Sequence, residues 1–265
     1  MSTASQLTRP VGALLREWRD RRRLSQLALA VRAEISTRHL SFVETGRSQP
    51  SRDMVLHLAQ ALELPLRARN HLLLAAGYAP VYPESPLEAP HMTAVRAAVS
   101  QILHAHEPNP AVVVDRGWYL VDANPSLALL TEGVRPDLLA PPANVLRASL
   151  HPEGLAPRIT NLGEWRAHLL SRLRRQVALT GDPGLTELHE ELLGYPCADP
   201  EPEVELPGPG EVVTPLRVRQ DGRELAFFSM VATFGTPADV TVSELAIESF
   251  FPADPATAEY LRQRG

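Results

Sequence analysis

The chain of 265 residues is 44% hydrophobic and 22% charged, which excludes wholesale disorder and leaves room for two modest domains. Its one cysteine, Cys197, excludes an internal disulfide framework and any zinc site built on clustered thiolates. The net charge of −5 conceals a division: residues 1–79 carry twelve Arg against six acids, net +6, and residues 80–265 carry fourteen against twenty-five, net −11.

Residues 1–10 are polar and show no secretory leader, and the apolar run at 72–76 is too short to span a bilayer, so the default expectation is a reduced, cytoplasmic protein. Val11, Leu14, Leu15 and Trp18 stand at helical spacing on one stripe, with Arg16, Arg19, Arg21, Arg22 and Arg23 mostly off it. Ser25 is placed to cap a second helix through Ala33, with Leu29, Ala30 and Ala33 inward. Ser36 caps a third over 37–45, stopped by Gly46, where a left-handed residue is wanted. Pro50-Ser51 opens a fourth on Val55, Leu58, Ala59 and Leu62, and a fifth runs over 67–76 to Gly77.

Pro80, Pro83, Pro86 and Pro90 then read as an extended linker over 80–91, because proline removes donors and blocks helix interiors. A basic head ahead of an acidic body suggests a polyanion-binding module joined to one that must not bind polyanions. The expected division is 1–79, linker 80–91 and 92–265.

In the second part Val95, Val99 and Ile102 mark a helix ending before Pro108. Strands are expected at 111–114 and 118–122, a long helix on Leu162, Trp165, Leu169, Leu173 and Val177, and another helix over 185–193. On the long helix Arg166, Arg172, Arg174 and Arg175 fall off the apolar side. A Pro-, Gly- and acid-rich stretch at 199–211 reads as a long exposed loop. Strands follow at 211–219, 224–234 and 240–250, with Asp221-Gly222 as a tight turn. The expected fold class is an all-α five-helix domain followed by an α+β domain whose five-stranded antiparallel sheet is covered on one face.

The second and third helices, joined at Glu34-Ile35, have the spacing of a helix-turn-helix, whose second helix enters the major groove amino end first. Leu40 and Val43 face inward, leaving Thr37, Arg38, His39, Ser41 and Phe42 outward. Arg38 suits a guanine edge, Thr37 or Ser41 a base or phosphate, and Phe42 a thymine methyl. Ser36 caps this helix, Gln26 is placed for a phosphate, and Arg47 is a further backbone candidate.

Leu24-Ser25-Gln26, Leu29-Ala30, Ile35-Ser36, Leu40-Ser41, Glu44-Thr45-Gly46-Arg47, Pro50-Ser51 and Leu58-Ala59-Gln60-Ala61-Leu62 resemble the XRE family of λ-repressor-like DNA-binding domains over about residues 10–78. Two departures stand out. Glu34 sits where that family has Gly, implying a slightly strained turn, and the apolar Leu27 and Val31 occupy positions that are usually polar. Pro110-Ala111-Val112-Val113-Val114-Asp115, Asp122-Ala123-Asn124, His151-Pro152-Glu153-Gly154, Asn161-Leu162, Leu173-Arg174-Arg175 and Asp182-Pro183-Gly184-Leu185 resemble the PAS-like MmyB-like ligand-binding domain over about 92–255. That resemblance implies a pocket for a small lipophilic molecule, with fatty acids as one precedent.

Such a pocket is expected between the sheet and its covering helices. Its candidate walls are Trp118, Leu120, Trp165, Leu169 and Leu173, with the more apolar face of the fourth strand: Ala226, Phe228, Met230, Ala232 and Phe234. Asn124, His151, Arg158 and Asn161 are candidates for a ligand's polar end, or else turn formers.

An enzyme is not expected. Gly208-Pro209-Gly210 and Gly46-Arg47-Ser48 lack the continuations of a phosphate cradle or nucleophile elbow, and His189-Glu190-Glu191 is no zinc-protease motif. No cofactor or metal is expected. The expected protein is a DNA-binding regulator, more often a repressor in this family, acting as a homodimer on inverted-repeat duplex DNA, with no membrane partner. The alternative is a second domain that serves only dimerisation or protein contacts.

Overall fold

The structure, a computed structural model, describes residues 9–199 and 213–264. The chain divides into two units: residues 1–85 with 178–180 and 236–243, and residues 86–177 with 181–235 and 244–265.

The first unit is built on five helices: α1 (Val11–Arg21), α2 (Gln26–Arg32), α3 (Thr37–Glu44), α4 (Arg52–Ala61) and α5 (Leu66–Ala75). Serine starts three of them for one reason. Ser25, Ser36 and Ser51 each turn a hydroxyl oxygen onto an otherwise orphaned N–H three residues on, at Ala28, His39 and Met54, over 3.0, 3.1 and 3.2 Å. Left-handed residues then end all five, at Arg23, Glu34, Gly46, Glu63 and Gly77. Two of the five are glycine, so the other three hold a conformation that costs an L-residue about 1–2 kcal/mol. Leu15, Leu29, Leu40, Val55, Leu58 and Leu72 meet in one buried cluster.

Close approach between elements is bought at Gly12. A Cβ there would lie 2.3 Å from the Val43 carbonyl oxygen and 2.7 Å from that of Glu44, so only glycine lets α1 reach the end of α3. The start of the proline-rich stretch is fastened rather than free. Asn70 on α5 accepts from the Val81 and Tyr82 N–H groups and donates to the Tyr82 carbonyl.

The second unit contains α6 (Thr93–Ala105), β1 (Ala111–Val114), β2 (Leu120–Ala123), short helices α7 (Ala128–Thr131), α8 (Pro136–Leu139) and α9 (Val145–Leu150), then α10 (Leu162–Thr180) and α11 (Pro183–Leu193). β3 (Leu216–Gln220), β4 (Arg223–Thr233), α12 (Val240–Ser243), β5 (Ala246–Pro252) and α13 (Pro255–Arg264) complete the order. α12 belongs with the first unit, where the Val240 N–H donates to Pro83. The five strands lie in the order β2-β1-β5-β4-β3, and every neighbouring pair is antiparallel. Asp221 and Gly222, both at positive φ, make the tight β3–β4 turn.

Several expectations are corrected. Both faces of the sheet are covered. Val99 and Leu103 of α6 pack on Val113 and Ile247, while Leu146, Trp165, Leu169 and Leu188 pack over Val112, Phe227 and Phe250. Trp118 precedes β2 in a left-handed turn position, organised by Asp115, whose carboxylate accepts from the Gly117 and Tyr119 N–H groups. Residues 240–243 are helical, and α13 carries no signal that alternation would detect. The 199–211 loop and the start of the 211–219 strand lie outside the described residues except for Asp199 and 213–219. Among the described residues no helix is long and apolar enough to cross a membrane.

Candidate functional site

Two sites stand out, one in each unit. In the first, Leu40 and Val43 anchor α3 in the core, and helical geometry then turns Thr37, Arg38, His39, Ser41 and Phe42 away from it. Arg38 is exposed, and its guanidinium carbon lies 5.4 Å from the centre of the Phe42 ring. Arg47, also exposed beyond Gly46, lies 5.9 Å from the same ring. One aromatic ring therefore gathers two cations on the outer side of the helix-turn-helix. Ser36 holds the amino end of α3 through the His39 N–H, where the helix dipole favours an anion.

Behind this face lies a charged network that sequence reading missed. Glu44 is buried and accepts both Nε and Nη2 of Arg19, at 2.7 and 3.0 Å, and the Gln26 amide nitrogen at 2.7 Å. Arg19, expected off the core stripe, is itself only 8% exposed, and its remaining nitrogen donates to Asp20 and to the Leu24 carbonyl. The hydrogen bond from Arg19 to the Glu44 carboxylate holds the guanidinium above its ordinary pKa. Gln26, expected to meet a phosphate, thus turns its amide nitrogen inward. Glu44 stands four residues after the inward Leu40, on the same face of the helix, and that spacing is the signal that was available. Arg22 is also engaged, donating to the Leu62 and Glu63 carbonyls at the end of α4. Leu27 and Val31, by contrast, are 63% and 69% exposed.

In the second unit a cavity open to solvent lies between the sheet and α7–α10, with about 750 Å³ of atom-free space that includes solvent outside its mouth. Val112, Leu120, Leu216 and Phe250 form its sheet side, Leu146, Trp165 and Leu169 its helix side, and Leu130, Val134 and Leu139 close around them. Trp118 reaches the wall from its turn. The wall is hydrocarbon apart from Thr131, Asn144, Ser149 and Glu248. Space of this kind, lined by apolar groups with a few polar ones, suits a small apolar molecule.

Of the expected wall residues, Trp118, Leu120, Trp165 and Leu169 line this cavity. Leu173 is buried in the adjoining core without lining it. Phe228, Met230 and Phe234 are not on it, and neither are Ala226 and Ala232. Leu225 and Phe227 turn toward the helices instead, so the opposite face of β4 looks away from the cavity. There Phe228 stacks on Phe251, Phe234 packs with the α6 cluster, and Met230 is 59% exposed. The more apolar face was the wrong guide because both faces of this sheet are covered, and alternation then ceases to identify the inner one.

The expected polar candidates serve the fold elsewhere. Asn124 accepts from the Ala111 N–H and donates to the Leu103 and Asn109 carbonyls. Asn161 ties the start of α10 to Pro215 and Arg217. Arg158 donates to the Leu129, Glu132 and Arg219 carbonyls and to Gln220, and burial holds its pKa below the ordinary value. His151 accepts from the Glu153 N–H. Arg166, expected on the polar side of α10, is buried and donates to the Leu192 and Leu193 carbonyls at the end of α11.

The comparisons follow these two sites. The family model described as helix-turn-helix domain matches residues 10–72, the segment that holds α1–α4 and most of α5. The one described as MmyB-like transcription regulator ligand binding domain matches residues 95–263, more than half of the chain and all of the cavity wall. Among curated proteins none matches the chain by sequence. With a helix-turn-helix in front and that ligand-binding domain behind it, the chain belongs to the MmyB-like transcription regulators.

Proposed function

We propose that the protein is a ligand-responsive repressor that binds an inverted-repeat operator as a homodimer, with α3 in the major groove. The observation that carries the reading is the apolar cavity in the same chain as a helix-turn-helix whose Arg38 and Arg47 face outward. In this reading residues 1–79 read DNA, 80–91 join the domains, and 92–265 sense the signal in the cytoplasm. Thr37, Arg38, Ser41 and Phe42 address bases, with Arg47 and the capped amino end of α3 on phosphates.

The signal is a small lipophilic molecule, of the kind a fatty acid's hydrocarbon chain exemplifies, seated among Trp118, Leu120, Trp165 and Leu169. Two copies match a two-fold operator because one helix-turn-helix buries little area alone. The ligand acts by favouring one arrangement of the paired DNA-binding domains over another.

The test couples two measurements on the full chain. Duplexes selected from a random pool should share an inverted repeat, and an apolar ligand that raises the melting temperature should also change affinity for that duplex. Stabilisation with no change in DNA affinity would leave the cavity without a regulatory role. If no apolar ligand stabilises the protein, the second domain serves dimerisation or protein contacts instead.

A further inference from the structure

The geometry points to a ligand whose polar end donates a hydrogen bond, as a hydroxyl, amide N–H or ammonium does, and is received by Glu248 in the cavity wall. This deepens the ligand-sensing reading and rests on it. Glu248 is 5% exposed and lies on β5, in register with Val112 of β1 and Val231 of β4. It is the one charged side chain on a wall that is otherwise almost entirely hydrocarbon.

The other polar wall groups are already engaged within the fold. Asn144 accepts from the Leu146 and Arg147 N–H groups and donates to the Gly117 carbonyl. Ser149 accepts from the Trp165 indole at 3.2 Å, and the Thr131 hydroxyl is directed at the Leu127 and Ala128 carbonyls. Glu248 receives one guanidinium nitrogen, Nη1 of Arg172, at 3.1 and 3.2 Å from its two oxygens. An ionised carboxylate offers about four acceptor positions, so that single nitrogen leaves acceptor capacity.

Arg172 does not itself line the cavity. Its guanidinium carbon sits 4.4 Å from the centre of the Trp118 ring, whose indole N–H is held by Gln176. Of the two members of this ion pair only Glu248 belongs to the cavity wall, so a head group moving along the hydrocarbon meets that residue and not Arg172. An anionic head would place like charges together where water is scarce, whereas a donor gains a charge-assisted hydrogen bond. The wall thus accepts the chain of a fatty acid and rejects its ionised end.

The test titrates the full-length protein at neutral pH with decanol, decylamine and decanoate, which share a chain and differ in the head group. Decanol and decylamine should raise the melting temperature and bind at least about tenfold more tightly than decanoate. In Glu248→Gln the preference for decylamine over decanoate should shrink or reverse. Decanoate binding to the native protein as tightly as decanol would overturn the inference while leaving the cavity as a ligand site. Failure of all three to stabilise the native protein would remove the ligand-sensing reading and the inference with it. The native series decides the matter even if the variant does not fold.

Discussion

Arg38 combines an exposed position on α3 with a partly restrained guanidinium, because the Phe42 ring lies 5.4 Å away. Its planar fork matches the two acceptors of a guanine edge. Arg38→Ala should therefore cost about 1–3 kcal/mol of operator affinity and relax the preference at one base pair, read by fluorescence anisotropy on a set of single-base operator variants. A uniform loss across all of them would make Arg38 a phosphate contact. Glu34 poses a different residue-scale question. At φ +49° it holds a left-handed turn position without the freedom of glycine. Glu34→Gly should raise the stability of the first unit by about 1 kcal/mol, measured by thermal unfolding, because relief of the backbone strain exceeds the added entropy of the unfolded chain. The departure from the family pattern at Glu34 was legible in the sequence; the φ value shows what it does.

At the scale of elements, Glu44 joins three helices: its own α3, α1 through Arg19 and α2 through Gln26. Removing a buried partner leaves an uncompensated charge, so Glu44→Ala should destabilise the first unit by about 3–5 kcal/mol in chemical denaturation. The Arg19→Ala, Glu44→Ala pair should recover part of that loss, since neither charge is then stranded. In the second unit Arg147 of α9 grips Glu191 of α11 at 2.7–3.0 Å, and Tyr195 donates to the same carboxylate at 2.6 Å. The Arg147 hydrogen bond holds the Glu191 carboxyl below its ordinary range, while burial and the same carboxylate push the Tyr195 hydroxyl up to about 12. Because the folded pKa of Glu191 is the lower one, its stabilising contribution is complete above the unfolded value and is lost as pH falls through the folded one. Melting temperature should drop as pH is lowered below about 4.3, and drop less steeply in Glu191→Gln. The helix-turn-helix elements were legible because caps, stops and apolar stripes are local signals. The inner face of β4 was not, because it depends on α6 covering the other side of the sheet.

For the whole molecule, charge divides the sequence in two. The first 79 residues are net +6 and the rest net −11, so a duplex is attracted to one end of the sequence and repelled by the other. Operator binding should weaken steeply with salt, by on the order of a hundredfold or more between low and physiological ionic strength, as counterions are released from the contacted phosphates. A flat response in the same titration would contradict groove binding by α3. The acidic body disfavours polyanions, and the role proposed for Glu248 would add selection against anionic ligands in the second unit.

Read alone, the amino-acid sequence determined the five helices of the first unit, the outward set Thr37, Arg38, His39, Ser41 and Phe42, the antiparallel strand count and the resemblance to both families. These follow from interactions between residues a few positions apart, or from patterns that repeat within one element. Tertiary structure alone decided that Arg19 and Arg166 are buried, that Asn124 and Arg158 serve the fold, and that Glu248 faces the cavity. Burial of a polar group depends on which distant segment arrives to cover and pair it, and that partner lies 25 residues away for Arg19 and 76 for Glu248.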